Sequence, residues 1–355
     1  MSGLLLWDNL LAKGNGIAYG GVPSGWSTSD NIDGFELERC IDGRLDTSAK
    51  ITLAINFDLQ QKYTGTTSFS GSTAIRTRVV LAPIHRKPKG FWDGWTLTIT
   101  SGPSAGATAT VVPNTLEQLN YIDVDSITVQ QGTWDYELTF VPEWDTVAFS
   151  GHNFYLSDYF TPVFLYASDS TSNLNEALVD INTEGNVYIH KTSQTYSKRY
   201  VTLYFPSFNS GSNTEIPQVS NFYVGKSLKI ENVVDKFSLR APFTPAGIYQ
   251  TLERTGKRNN NNNPLPASYR DAPFDVKLDF KLLDEEVLRT ELKKGLYESL
   301  QTKPFYLAWD VENRLDNGAG ADTAFCWVEK TIKPPRVKDY TGRVEWTIDA
   351  KGLKR

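Results

Sequence analysis

Between residues 52 and 205 the chain breaks repeatedly into short apolar-alternating stretches, separated by clusters of Gly, Pro, Asn and Ser. This punctuation is the strongest constraint on the fold. No stretch there is long enough to establish a helical apolar stripe before a turn signal ends it, so the segments read as strands joined by turns. Many short strands of this kind close into a β-sandwich or a barrel. Thr52–Leu59 shows the pattern well: Leu53, Ile55 and Phe57 fall on one side, and Leu59 continues the series. Further strands are expected at Thr77–Leu81, Trp95–Thr100, Ala107–Val112, Ser126–Val129, Tyr136–Val141, Thr146–Ser150, Val163–Ala167, Asn186–His190 and Tyr200–Phe205. The 17 Tyr, 18 Phe and 9 Trp fit this reading, because aromatic side chains pack well on a pleated surface.

A chain of 355 residues is long enough for two domains. The Ser/Asn/Gly/Pro-rich stretch 205–220 is the natural boundary. It predicts a sandwich over residues 1–210 and a β-barrel or split barrel over 216–355. Strands of the second half are expected at Phe222–Ile230, Phe237–Arg240, Phe274–Leu282, Phe305–Asp310, Phe325–Ile332 and Arg343–Asp349. One helix is expected over 284–300. Asp284 can cap it, Glu285 and Glu286 suit its positive end, and Val287, Leu288, Leu292, Leu296 and Leu300 form its apolar face; Gly295 interrupts the pattern. Asn259–Asn263 followed by Pro264 reads as an exposed loop tip. This loop and the N-terminal Leu4–Trp7 segment are the parts expected to order only on assembly.

Chemistry is hard to find. The net charge is −5 with scattered basic residues, so no phosphate-binding stripe is present and nucleic acid is not an expected partner. No run approaches the ~20 apolar residues of a membrane span. No basic leader precedes the opening leucines, and the two cysteines, Cys40 and Cys326, form no disulfide framework. The protein is therefore expected to be made in a cytoplasm and to stay soluble, with both cysteines as free buried thiols. His85, His152 and His190 lack partners at catalytic or metal-binding spacing, and GxSxG, GxGxxG and the P-loop pattern are absent. Each histidine reads as a hydrogen-bonded surface or sheet-edge residue. Asp30, Asp33, Asp42 and Asp46 cluster in sequence, but they read as turn residues rather than a Ca²⁺ loop. No catalytic residue, cofactor or metal is expected.

Two ligand-directed readings stay open. Trp92, Trp95 and Trp144, with Trp26 and Trp134, could stack sugars if two or three of these rings share an exposed concave face. A glycan-degrading enzyme would further need two acids across a cleft beside them; Asp93, Glu143 and Asp145 are the neighbours in sequence.

Three stretches carry a resemblance. Trp7-Asp8-Asn9-Leu10-Leu11, followed by Cys40-Ile41-Asp42-Gly43-Arg44-Leu45-Asp46-Thr47, resembles the opening of a discoidin-like jelly roll in phage tail structural proteins. Val147–Phe154, with its Ser-Gly-His-Asn centre, resembles a strand and turn of the same virion proteins. Gly94–Gly106 resembles a β-hairpin frequent in tail and fibre proteins, in which two glycines permit the turn. More loosely, Lys303–Trp309 and Phe325–Trp327 are similar to strands of tail-tip proteins in long-tailed phages. The resemblance implies a virion structural protein of the tail: a ring-forming distal tail or tail-tip component, trimeric or hexameric, joining the tail tube to hub or fibres. A host surface glycan is the further partner it would allow. Distal tail proteins usually place the ring domain first, whereas here the jelly-roll-like half comes first, so a neighbouring tip or fibre-attachment protein fits as well.

Overall fold

The computed structural model describes residues 3–12, 16–17, 39, 49–50, 54–69, 77–83, 91–113, 121–125, 127–152, 163–169, 176–181, 187–205, 217–230, 237–239, 252–255, 268–271, 273–283, 290–292, 294–309, 323–337 and 344–353. The protein is mainly β, built from sandwich and barrel elements as the turn-punctuated sequence predicts. Every strand pairing among the described residues is antiparallel.

Three sheets stack to form the body. The middle layer is a three-stranded sheet in the order Val187–Tyr196, Trp144–Ser150, Asn221–Gly225. Its central strand is buried along its whole length, because both faces are covered. Val147 and Phe149 point one way, into a core shared with Ile55, Phe57, Leu165, Val201 and Leu203 of a five-stranded sheet. Aromatic rings column across this interface: Phe57 stacks on Phe222 at 4.6 Å and Phe149 on Tyr188 at 4.8 Å. Ala148 points the other way. There, with Val187, Ile189 and Tyr223, it meets Leu4, Leu6, Tyr306, Ala308 and Phe325 of an eight-stranded sheet. Ser150 and Tyr306 share a 2.9 Å hydroxyl hydrogen bond across this second interface.

The far face of the eight-stranded sheet carries the helix. Leu296 and Leu300 pack with Val276, Leu278, Trp346 and Ile348. The helix runs over Leu296–Thr302, shorter than expected, and Thr290–Leu292 is helical ahead of it. Gly295 separates the two in the left-handed region, at φ 96°, which ends one helical run and starts the next. Residues 284–289, including the expected cap Asp284, lie outside the described residues. Among the described residues no helix is long and apolar enough to cross a membrane.

The expected division at residues 205–220 does not sort the strands. Gly3–Leu6 is an interior strand of the eight-stranded sheet, between Leu228–Ile230 and Phe305–Trp309. Asn221–Gly225 pairs with Trp144–Ser150 in the middle layer. Each half of the chain thus lends a strand to the other's sheet, and domains 1–210 and 216–355 are interlocked. Leu4, Leu5 and Leu6 are fully buried, so the N-terminal segment is part of the framework and not a part left for assembly to order. The Asn259–Asn263 run lies outside the described residues.

Residues 61–140 form a separate unit between the body strands Ala54–Asp58 and Trp144–Ser150. Its six strands run in the order Gln61–Phe69, Gly132–Phe140, Thr96–Ile99, Thr108–Val112, Tyr121–Val124, Thr77–Val80. The sheet curls until its first and last strands meet, where the Thr67 hydroxyl donates to the Val80 carbonyl. The Ala82 amide donates to the Tyr136 hydroxyl at 3.0 Å inside the curl. The result is a small barrel with its own core around Leu97, Ile99, Val111, Ile122, Val124 and Leu138. The Gly94–Gly106 stretch forms the hairpin its sequence predicts. Gly102 adopts φ 79° and lies against the Trp134 indole, where a Cβ would come within 2.1 Å of the ring. Ser126–Val129, expected as a strand, makes only an isolated bridge at Val129 in its described part.

Candidate functional site

The three tryptophans proposed for sugar stacking are core residues. Trp92 and Trp95 are 5% and 3% exposed, and Trp144 is fully buried. Trp95 is held between Phe91 at 5.8 Å and Phe140 at 5.3 Å, with Tyr63 and Trp92 closing the cluster. Trp144 stacks on Tyr196 at 5.1 Å, at the edge of the core between the five- and three-stranded sheets. Stacking needs an open ring face, and none of the three presents one. The physical reason is size: a barrel of this width fills its end with large rings, and a doubly covered strand leaves Trp144 no route to solvent. Trp134 is half-buried against Gly102 and Gly132, and Trp26 lies outside the described residues.

The carboxylates beside Trp144 do not form an acid pair. Glu143 is exposed and bridges to Lys226 at 3.0 Å. Asp145 is buried and accepts from the Ser227 amide at 2.8 Å, the Thr146 hydroxyl at 2.8 Å and the Lys191 ammonium at 3.0 Å. Burial pushes its carboxyl up, but these donors outweigh burial and hold it below the ordinary carboxylate range. A glycosidase acid needs the opposite shift, because it must hold a proton near neutral pH.

The described histidines and cysteine are packed inside the fold. His152 is buried with its ring edge-on to Phe149 at 4.9 Å, so it is a packed residue and not a surface one. Burial keeps His190 below its usual pKa, hence neutral. Burial raises the Cys326 thiol well above its usual range, leaving it inert. His85, Cys40, Asp30, Asp33, Asp42 and Asp46 lie outside the described residues. Among the described residues no three His, Cys, Asp or Glu side chains come together as a metal site.

The five-stranded sheet has a second face, rich in smaller aromatics, that the tryptophan pattern did not mark. In the five-stranded sheet, Ile55, Phe57, Leu165, Ala167, Val201 and Leu203 face the core. Register then fixes what lies on the other face: Phe164 opposite Tyr204, Tyr166 opposite Thr202 and Asn56, and Ser168 opposite Tyr200 and Asp58. Phe164, Tyr166, Tyr200 and Tyr204 are half-buried, and none belongs to a core cluster of the described residues. The Phe164 and Tyr166 rings lie 6.1 Å apart, and those of Tyr166 and Tyr204 6.5 Å apart. Burial raises the pKa of Tyr166, Tyr200 and Tyr204, so all three hydroxyls stay protonated.

Beside these rings the polar groups are buried. Asn56 and Thr202 are each 1% exposed, and the Thr202 hydroxyl donates to Asn56 Oδ1 at 2.9 Å. Asn56 Nδ2 is buried with no hydrogen-bond partner. At one end Arg199 grips Asp58 with two hydrogen bonds, of 3.0 and 2.7 Å, and lies 4.9 Å from the centre of the Tyr200 ring. The hydrogen bond to that carboxylate raises the guanidinium pKa further, and the two groups form an ion pair at 2.7 Å. A second surface, a shallow groove by the helix end, is lined by Thr302, Lys303, Pro304, Phe325 and Trp327.

Sequence reasoning missed the aromatic face because it followed tryptophans. The available signal was subtler: Val163–Ala167 and Tyr200–Tyr204 are apolar at every other position on one side, yet carry Phe or Tyr on the other. Comparison with known proteins gives no match to any family model, any curated protein or any solved structure.

Proposed function

We propose that this chain is a structural protein of a bacteriophage tail, a ring-forming distal tail or tail-tip component that links the tail tube to the tip or fibres. The observation that supports it best is the division of labour in the fold. A three-sheet body is locked by exchange of strands between the two halves of the chain, and it carries a self-contained barrel over residues 61–140. A rigid body with an appended unit suits a part that is held in a ring and touches different neighbours on different sides. The Gly94–Gly106 hairpin and the Val147–Gly151 strand and turn, two of the stretches that resemble tail proteins, are both built as regular elements.

In this reading the partners are copies of the chain, as a trimer or hexamer, together with tail tube, hub and fibre proteins. The protein is made in the host cytoplasm and ends in the virion tail, and it is not an enzyme. Light scattering on the purified chain over a concentration series tests the ring: a closed species of three or six chains is expected, and a monomer at every concentration contradicts it.

A further inference from the structure

We propose that copies of this chain meet head to tail, with the Phe91 ring of the barrel on one copy seated in the groove beside Trp327 on the next, and Asp93 facing Lys303 across the rim. The groove is part of the framework. The pairing of Phe305–Trp309 with Thr323–Trp327 ends at Phe305 and Cys326, and Pro304 has no amide hydrogen with which to extend it. At that end lies a groove of about 270 Å³, walled by Pro304, Phe325, Trp327 and Val328. Its shape needs no occupant. The Ile332 amide donates to Gln301 Oε1 at 2.6 Å and the Tyr297 hydroxyl to the Ile332 carbonyl at 2.8 Å, which pins the segment after Val328 to the helix. The volume falls below the roughly 300–1,000 Å³ of small-molecule pockets and suits one large side chain.

Charge selects the occupant. Lys303 is exposed on the rim, and Lys330, Lys333 and Arg336 are exposed in the segment that follows Val328; among the described residues none of the four makes an ion pair. Glu329 is the one acid in that segment, so a chain of net charge −5 carries a local excess of positive charge here. The complement is an apolar side chain next to a carboxylate, and the barrel presents one. Among the described residues the exposed large apolar side chains are Val80 and Phe91, and Phe91 is the larger. It stays 37% exposed while its ring rests on Trp92 at 4.8 Å and Trp95 at 5.8 Å, so the buried tryptophans back it from behind. Asp93 is exposed in the same turn, which the Trp95 amide closes on the Trp92 carbonyl at 3.0 Å. An anchor ring held by its own neighbours enters a pocket at little entropy cost, and the charges at the rim orient it. Two different patches of one chain that fit each other make a heterologous contact, which closes into a ring or runs on as a filament.

The contact deepens the ring reading and rests on it. The test is native mass by light scattering over a concentration series, on the full chain and its variants. Phe91→Ala should raise the midpoint concentration of association about tenfold or more. Lys303→Asp and Asp93→Lys, both at exposed positions, should each raise it about threefold or more by setting like charges against each other. The chain carrying both changes restores the opposite pair and should return to within about twofold of the parent, a recovery that damage to the fold would not give. If the parent associates and all three single variants associate as it does, or if the double variant stays as weak as the singles, the contact is overturned while the ring reading stands. A parent that is monomeric at every concentration overturns both.

Discussion

Replacing Leu5 with alanine tests whether the N-terminus belongs to the framework. Leu5 is fully buried and sits in register between Leu228 and Leu307, inside the cluster that includes Trp7, Leu296, Leu300 and Trp346. The substitution removes three carbons. At about 0.8 kcal/mol per buried methylene the transfer loss is about 2.4 kcal/mol, and the cavity left among rigid neighbours brings the total to about 3–4 kcal/mol. An effect of that size is more than a hundredfold in the folding equilibrium. Urea unfolding followed by tryptophan fluorescence reads it directly, since Trp7 and Trp346 lie in the same cluster. A loss below about 1 kcal/mol at Leu5 would refute the reasoning, because a peripheral N-terminal strand could be trimmed at little cost.

Three further outcomes follow from the geometry. Gly102→Ala meets both a left-handed backbone at φ 79° and the Trp134 ring, whereas Gly94→Ala meets only the backbone penalty at φ 80°; the first should cost about 2 kcal/mol or more and the second about 1, read by thermal melting of the two variants side by side. The Asp145 carboxyl titrates below its unfolded value, so its stabilisation is complete above about pH 4 and is lost as the pH falls through its lower folded pKa; Asp145→Asn should cost about 1–2 kcal/mol at neutral pH and flatten the acid side of the stability profile. Trp95→Ala should destabilise the barrel by about 3–5 kcal/mol in chemical denaturation, and an unchanged midpoint would mean the ring is a surface residue after all.

Much of the strand pattern was readable from alternation, but the exceptions share physical causes. Gly3–Leu6 is covered on both faces, so its apolar residues run together and give no alternation to read. The leucines then look like a loose terminus. Gln61–Phe69 was missed for the opposite reason. Its outer positions are Lys62, Thr64, Thr66 and Ser68, and its inner face includes Gly65, which has no side chain because the Tyr136 phenol occupies that space. Composition marks a linker at 205–220 but not the partners of the strands beside it. Strand exchange between distant segments leaves no local trace. The tryptophans drew attention as candidate sugar platforms, yet a large indole is as useful for filling a barrel end as for meeting a ligand.

The most direct measurement is quantitative mass spectrometry and immunogold microscopy on phage particles purified from cells that carry this gene. The account predicts the chain in the particles, in a copy number that is a multiple of three or six per tail, with label confined to the tail tip. Particles that assemble and infect without the chain, or label spread over the capsid, would contradict it.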